Sequence, residues 1–368
     1  MNSEPFEIFL VATPGLEVPL CAEALECGFA GAQVVAGGVA FQGGWPDVWS
    51  ANLNLRGATR VLARIGAFRA FHLAQLDKRA RKFPWETVVR RGQAVKVEAT
   101  CRKSKIYHAG AAAQRVERAL HEVAGAEVAT DAALRLVVRI EDDLVTISVD
   151  TSGASLHRRG HKEWVGKAPM RETMAAMFLR ECGFDGRGPV LDPMCGSGTF
   201  VIEAAEIAAG LQPGRARSFA FEALPGFDTA AFAALKRGGG PAPEARFFGS
   251  DRDDGAIRGA AENAARAGVE GWCSFSRAAL ADLNRPEGPP GLVIVNPPYG
   301  ARIGNKRPLF ALHNMLGQVL REGFAGWRVG IVTSEAGLAR ATGLPFTAPG
   351  PVVAHGGLKV RLWQTGPL

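Results

Sequence analysis

The stretch Pro189–Ala205, PVLDPMCGSGTFVIEAA, restricts the fold more than any other part of this 368-residue chain. Pro189, Val190 and Leu191 read as the end of a buried parallel strand, and Asp192 closes it. Gly196-Ser197-Gly198 makes a tight turn, and Thr199 to Ala209 continues as a helix rich in Ala, Val, Ile and Glu. Glycine at 196 and 198 lets the backbone take positive φ and lets a ligand approach without meeting a Cβ. The helix then aims its free N–H groups and positive dipole end at that ligand, so an anionic group is favoured there.

What the turn lacks narrows the ligand. A dinucleotide loop reads GxGxxG, but the third glycine position holds Val201. A phosphate-binding Walker loop requires Gly-Lys-Ser/Thr, and no lysine is present. Asp192 is a poor neighbour for a pyrophosphate but can accept from an ammonium. An acid followed by GxG therefore suits a zwitterionic amino-acid end, as in S-adenosylmethionine. Taken alone, GxG fits an ordinary strand-turn-helix equally well.

The 47% apolar and 21% charged composition is that of a globular chain with room for two or three cores. No apolar run reaches membrane-spanning length, and MNSEPFEIFLVATPG has no basic region ahead of its apolar stretch. The expectation is a cytoplasmic protein. Six cysteines are scattered without a CxxC pair, which argues against a zinc site or a disulfide framework. Cys195 reads as a small residue packed beside the ligand rather than a nucleophile. His157 and His161, four apart with Gly160 between them, read as loop residues rather than a metal pair.

Net charge is +7, and its distribution matters more than its size. Between Lys78 and Lys105 stand ten Lys/Arg against two acids, as a polyanion partner would require. Within this stretch Arg102, Lys103 and Lys105 can hold phosphates, and Tyr107, beside His108, can stack a base. A solvated basic face is the plainer alternative. Around it the pattern predicts strands at Phe6–Val11, Gln33–Phe41 (with a turn or bulge suggested at Gly37-Gly38), Arg60–Phe71, Ala94–Cys101, Leu134–Glu141 and Leu144–Val149, the last two joined by an Asp142-Asp143 turn. Helices are expected at Gly15–Cys27, Asp47–Asn54, Gln75–Val89 (interrupted at Pro84) and Ala109–Val123. Asp150–His161 reads as a joint, after which Lys162–Arg180 is expected to resume as a helix.

Strand and helix then alternate as in a doubly wound sheet, with strands at Val190–Leu191, Ala245–Ser250, Trp272–Ser276, Leu292–Val295, Arg328–Thr333 and Leu358–Trp363. Asp251, after the second of these, is placed to accept both hydroxyls of a ribose. It lies 53 positions after Gly198, an interval lengthened by the Gly- and Pro-rich segment Gly210–Pro243.

The most specific element is Leu292–Gly300, LVIVNPPYG. Two prolines fix the chain as it leaves a strand. An exocyclic amino group on a base is a poor nucleophile because its lone pair is delocalised. The Asn296 side-chain oxygen and the Pro297 carbonyl can accept its two hydrogens and draw the nitrogen toward tetrahedral geometry, with Tyr299 stacked on the flipped-out base. A proline-rich turn capping a strand is the plainer reading.

Taken together, LDPMCGSGTFVIEAA, GSDRDDGAI with its downstream ENAARAGV, VNPPYG, DTSGASLHRRG and APMRETMA resemble the THUMP-domain RNA methyltransferases. The nearest group is the guanine-N2 methyltransferases of ribosomal RNA, with the transfer RNA guanine-N2 enzymes next. The resemblance implies an α/β chain: a ferredoxin-like segment over residues 1–70, a THUMP α/β domain over 71–155, and a doubly wound class I (Rossmann-like) methyltransferase domain over 156–368. It implies S-adenosylmethionine as cofactor, with Asp192, Pro193, Gly196, Gly198 and Thr199 around its methionine end and Asp251 at its ribose. The catalytic loop would be Asn296-Pro297-Pro298-Tyr299, with Asn296 also beside the cofactor. The family's acid for the adenine amino group falls at Ala279, so that Asp282, three residues on, or the backbone alone takes that role. The RNA surface would comprise Arg102, Lys103, Lys105, Tyr107, His108, Arg158 and Arg159. The expected partner is RNA, ribosomal before transfer, bound by a monomer with no metal and no membrane. An adenine-N6 methyltransferase and a non-catalytic RNA-binding assembly factor remain alternatives.

Overall fold

The computed structural model describes residues 4–166, 169–299 and 307–368. They fall into two compact units: residues 1–12, 21–156 and 217–236 in the first, and 13–20, 157–216 and 237–368 in the second.

The chain begins with β1 (Phe6–Val11), α1 (Glu17–Glu26), β2 (Gln33–Val35), β3 (Gly38–Gly43), α2 (Trp45–Asn54) and β4 (Arg60–Arg69). The strand expected over 33–41 is thus a hairpin, and it turns at the Gly37-Gly38 pair where the sequence suggests a turn or bulge, Gly37 with φ of +83°. After α3 (Leu73–Ala80) come β5 (Ala94–Arg102), α4 (Ala109–Ala119), β6 (Glu127–Val128), β7 (Leu134–Glu141) and β8 (Leu144–Asp150). These strands form one eight-stranded sheet in the order β2-β3-β1-β4-β8-β7-β5-β6. Its first half has the βαββαβ connectivity of a ferredoxin-like unit, and it continues without a break through the antiparallel pairing of β4 with β8.

Alternation drives this sheet. Along β7, Leu134, Leu136, Val138 and Ile140 are buried while the intervening residues are partly exposed, as a period-two strand with one covered face requires. Asp142 and Asp143 take φ of 49° and 63°, the paired positive values of a two-residue hairpin turn that follows the strand twist.

The second half of the chain runs through α5 (Glu172–Glu181), β9 (Val190–Asp192), α6 (Thr199–Ala208), α7 (Thr229–Leu235), β10 (Phe247–Asp251) and α8 (Asp254–Ala267). It continues with β11 (Cys273–Arg277), β12 (Leu292–Val295), α9 (Arg307–Gly323), β13 (Arg328–Thr333), α10 (Ala336–Ala341), β14 (Val353–His355) and β15 (Leu358–Gln364). The seven strands lie in the order β11-β10-β9-β12-β13-β15-β14. All pairings are parallel except those of β15, which returns antiparallel to β13 and β14. The order reverses between β9 and β12, so the loops leaving those two neighbours diverge and open a crevice at their carboxyl ends. Val293, Val295, Leu316, Leu320, Phe324, Trp327, Val329 and Ile331 form the core behind it.

One expectation needs correction. The helix expected over Lys162–Arg180 begins only at Glu172. Residues 161–166 have no helical backbone and 167–168 lie outside the described residues; Gly166 and Pro169 are the breakers that a helical reading overrode. The Gly- and Pro-rich segment after Gly210, expected as an insertion, has a structure of its own that the sequence does not suggest. Its Phe219, Phe221, Phe227 and Phe232 pack on one another, and Trp49 of α2 meets Phe227 edge-on at 5.5 Å. Arg217 donates to the carbonyls of Ser152 and Ser155. An insertion in the second unit's sequence therefore completes the core of the first.

Candidate active site

The site is built from three strand ends, those of β9, β10 and β12. Gly249 of β10 is level with Asp192, and Leu292 and Val293 of β12 are level with Val190 and Leu191. Asp192, Asp251 and Asn296 therefore leave the sheet from three adjacent strands on one edge, which is where their sequence motifs required them.

Asp192 is buried, and its Oδ1 accepts from the Met194 N–H at 3.0 Å. Burial, reinforced by the neighbouring Asp251 charge, pushes its carboxyl up to about 8. Among the described residues no cation is paired with it. A ligand ammonium is the group that would let this acid ionise at neutral pH. Asp251 is half-buried, and its Oδ2 accepts from the Gly196 N–H at 3.1 Å, which fixes the turn against the second strand.

The two glycines of the turn do different things. Gly196 has φ of +50°, and a Cβ there would meet nothing within 4 Å. Gly198 has φ of +78°, and a Cβ there would stand 3.1 Å from the Ala260 Cβ and 3.2 Å from the Phe275 ring. Only the first faces open space; the second lets α6 pack against α8 and β11. Pro193 is buried within the turn. Thr199, expected at the cofactor, is also buried, and its hydroxyl accepts from Lys162 Nζ at 2.8 Å. Burial pushes the Cys195 thiol well above its ordinary range, as suits a packing residue rather than a nucleophile.

Leaving β12, Asn296 is partly buried, Pro297 buried, Pro298 exposed and Tyr299 partly buried. Burial pushes the Tyr299 phenol up to about 12, so it stays neutral and keeps an apolar face for stacking. Gly300, the last residue of the motif, lies outside the described residues. Asp282 sits exposed in a single 3-10 turn, Leu280–Asp282, after β11.

In the first unit, Arg102 and Tyr107 are exposed, Tyr107 at 83%. The loop between them is tied down. Lys105 N–H donates to Asp143 Oδ1 at 2.8 Å, Ser104 Oγ accepts from Asp143 N–H at 3.0 Å, and Lys105 Nζ lies 5.0 Å from the Phe71 ring centre. Lys103 takes φ of 45°. His108 differs from its neighbours, because it is the N-cap of α4 and its Nδ1 accepts from the Ala111 N–H at 3.0 Å.

Arg158 is exposed, but Arg159 corrects the sequence reading. Its side chain is 2% exposed and pairs with buried Glu203 at 3.2 Å, so it cannot meet a surface phosphate. His161 is buried 3.8 Å from Glu206, which also holds Arg215. Among the described residues no cluster of His, Cys, Asp and Glu could hold a metal ion. No helix among them is long and apolar enough to cross a membrane.

Sequence reasoning passed over Asn263. It is fully buried, donates from Nδ2 to the carbonyls of Ser197 and Trp164, and accepts at Oδ1 from the N–H groups of Glu163 and Trp164. Its place inside ENAARAGV was the available signal. Trp164 lies against Gly259, where a Cβ would come within 2.3 Å of the indole. The segment 161–164 is therefore strapped onto α8 and reaches the glycine turn.

A doubly wound sheet with an acid-GxG turn and an Asn-Pro-Pro-Tyr segment at adjacent strand ends is the layout of a Rossmann-like methyltransferase domain. Residues 159–346 match the UPF0020 family, described as RMKL-like, methyltransferase domain, and the chain belongs to that family. Residues 7–62 match the RlmL ferredoxin-like domain. Ribosomal RNA large subunit methyltransferase K/L of Vibrio campbellii is 41% identical over 211 residues, which is 55% of this chain and 30% of that protein. The chain thus spans under a third of the length of such curated relatives. Among solved structures, SMU.472 complexed with SAH superposes with a TM-score of 0.88 at 27% identity, covering 100% of this chain and 99% of that one. A predicted N6-adenine-specific DNA methylase from Listeria monocytogenes gives 0.88 at 29% identity, covering 99% and 97%.

Proposed function

We propose that this protein transfers a methyl group from S-adenosylmethionine to the exocyclic N2 of a guanosine in large-subunit ribosomal RNA. One observation carries the reading: Asn296-Pro297-Pro298-Tyr299 leaves β12 beside the Asp192–Gly198 turn, at the point where the strand order reverses. The residues fit the cofactor. Asp192 is a buried acid with no cation paired with it among the described residues, Gly196 is open on the side where a Cβ would stand, and Asp251 is at the end of the next strand. Asp282 is the candidate for the adenine edge. When bound, S-adenosylmethionine supplies an electrophilic methyl on a sulfonium.

The chain's own residues do the rest by position and electrostatics. Asn296 Oδ1 and the Pro297 carbonyl accept the two amino hydrogens of the base, restoring nucleophilicity to the nitrogen. The two prolines hold these acceptors rigidly, and Tyr299 stacks on the base once it is flipped out. Residues 71–155 act as the THUMP RNA-binding domain, presenting Arg102, Lys103, Lys105 and Tyr107; Arg158 is a separate candidate contact on the methyltransferase domain. The domain limits 1–70, 71–155 and 156–368, a monomeric state and a cytoplasmic location complete the reading.

Ribosomal RNA as substrate is favoured by the name of the Vibrio relative, and guanine-N2 by the resemblance of the sequence motifs. Adenine-N6 is the second reading, favoured by that of the Listeria neighbour, and the same four residues would serve it. Nucleoside analysis of RNA labelled from methyl-tritiated cofactor separates them. N2-methylguanosine is expected, N6-methyladenosine would replace the first reading by the second, and an unlabelled product with no melting shift on adding sinefungin would leave a binding factor.

A further inference from the structure

Behind the glycine turn stands a cation that the proposed mechanism does not use. Lys162 is 13% exposed, and its ammonium has three acceptors for its three hydrogens: Thr199 Oγ1 at 2.8 Å, the Met170 carbonyl at 2.9 Å and Glu172 Oε1 at 3.1 Å. With every donor committed, it has none left for a ligand. The void that it lines together with Ser197, Thr199 and Glu203 is about 10 Å³, the size of one water, so it cannot be the ligand crevice.

The chain of hydrogen bonds goes on. Thr199 Oγ1 lies 3.2 Å from Ser197 Oγ. A hydroxyl that accepts from an ammonium becomes a stronger donor, which favours Thr199 as the donor of this pair and leaves the Ser197 hydrogen for another acceptor. Ser197 is the central residue of the turn, and Asn263 Nδ2 holds its carbonyl at 3.2 Å. The strap 161–164 therefore ties a buried ammonium, paired with Glu172, through two hydroxyls to the backbone turn between Gly196 and Gly198.

We propose that Lys162 is a positioning residue that acts through Thr199 and Ser197 to set the turn's affinity for the anionic amino-acid end of the cofactor. This rests on the S-adenosylmethionine reading given above. The three hydrogens of the Lys162 ammonium go to Thr199, Met170 and Glu172, so it polarises the turn's hydroxyls without pairing with Asp192.

The test compares two probes that share a nucleoside and differ in the amino-acid end: S-adenosylhomocysteine and 5′-methylthioadenosine. Calorimetry on Lys162→Met should show about a tenfold loss of affinity for the first and little change for the second, the size of a lost charge-assisted hydrogen bond. Lys162→Arg should recover most of it. Thr199→Val breaks the relay while leaving the Lys162–Glu172 pair in place, and it should give the same selective loss even if Lys162→Met folds poorly. Equal losses for both probes would reduce the relay to a packing role and overturn the proposal, as would unchanged affinity for both. Wild-type protein that bound neither probe would instead defeat the cofactor reading itself, and the proposal with it.

Discussion

Two basic stretches look alike in the sequence and differ completely in the fold. RKSKIYH, residues 102–108, and HRRGHK, residues 157–162, each crowd cations into a few positions. In the first, Arg102 is 68% exposed and Tyr107 stands in solvent. In the second, Arg159 and Lys162 are buried against Glu203 and Glu172, acids that come from α6 and α5. A charge run reports how many cations there are, but whether they face solvent depends on acids elsewhere in the chain. Buried ions survive only with such partners.

The contrast can be broken most decisively at Arg159. Arg159→Met leaves Glu203 buried beside an apolar side chain and should cost about 3–5 kcal/mol in urea unfolding. A loss below about 0.5 kcal/mol would make Arg159 a surface cation after all. A second test sharpens the contrast with an acid that is buried and has no cation paired with it among the described residues. Asp192 holds its proton up to about 8 in the folded chain, well above its value when unfolded. The stability this contributes is full below the unfolded carboxylate range and is lost as pH rises through about 8. If the ligand ammonium pairs with ionised Asp192, affinity for S-adenosylhomocysteine should rise about tenfold per pH unit up to that point and then level off. A flat profile from pH 6 to 8 would remove Asp192 from the ammonium site.

The exposed stretch should behave in the opposite way. Neutralising Arg102, Lys103 and Lys105 together should shift unfolding by no more than about 0.5 kcal/mol. The same change should reduce the salt slope of RNA binding by about 0.7 per lost phosphate contact. An unaltered slope would move the RNA surface elsewhere. Tyr107→Ala should weaken RNA by about 1–3 kcal/mol if a base stacks there, again without touching stability. The smallest effect belongs to His108→Ala, which removes the α4 cap and should cost about 1 kcal/mol of stability while sparing RNA affinity. A selective loss of RNA binding would restore it to the interface.

These differences also mark how far the sequence could be read. The alternating strands β7 and β8, the glycine turn and the strand ending at Asn296 were legible because each is specified by neighbours in the chain. What escaped was decided at a distance. Nothing near Lys162 says that Thr199 and Glu172 will receive its ammonium, and a helical reading of 162–180 had to ignore Gly166 and Pro169. Asn263 looked like any polar residue in a helix until its amide met the Ser197 and Trp164 carbonyls. Even the two glycines of one motif could not be told apart before Phe275 and Ala260 were seen against Gly198.

The account turns on Asn296 acting in chemistry and not in binding. Asn296→Ala should bind S-adenosylhomocysteine within a few-fold of wild type by calorimetry while incorporating no label from methyl-tritiated S-adenosylmethionine into RNA. Label incorporation at the wild-type rate by that variant would contradict the account outright.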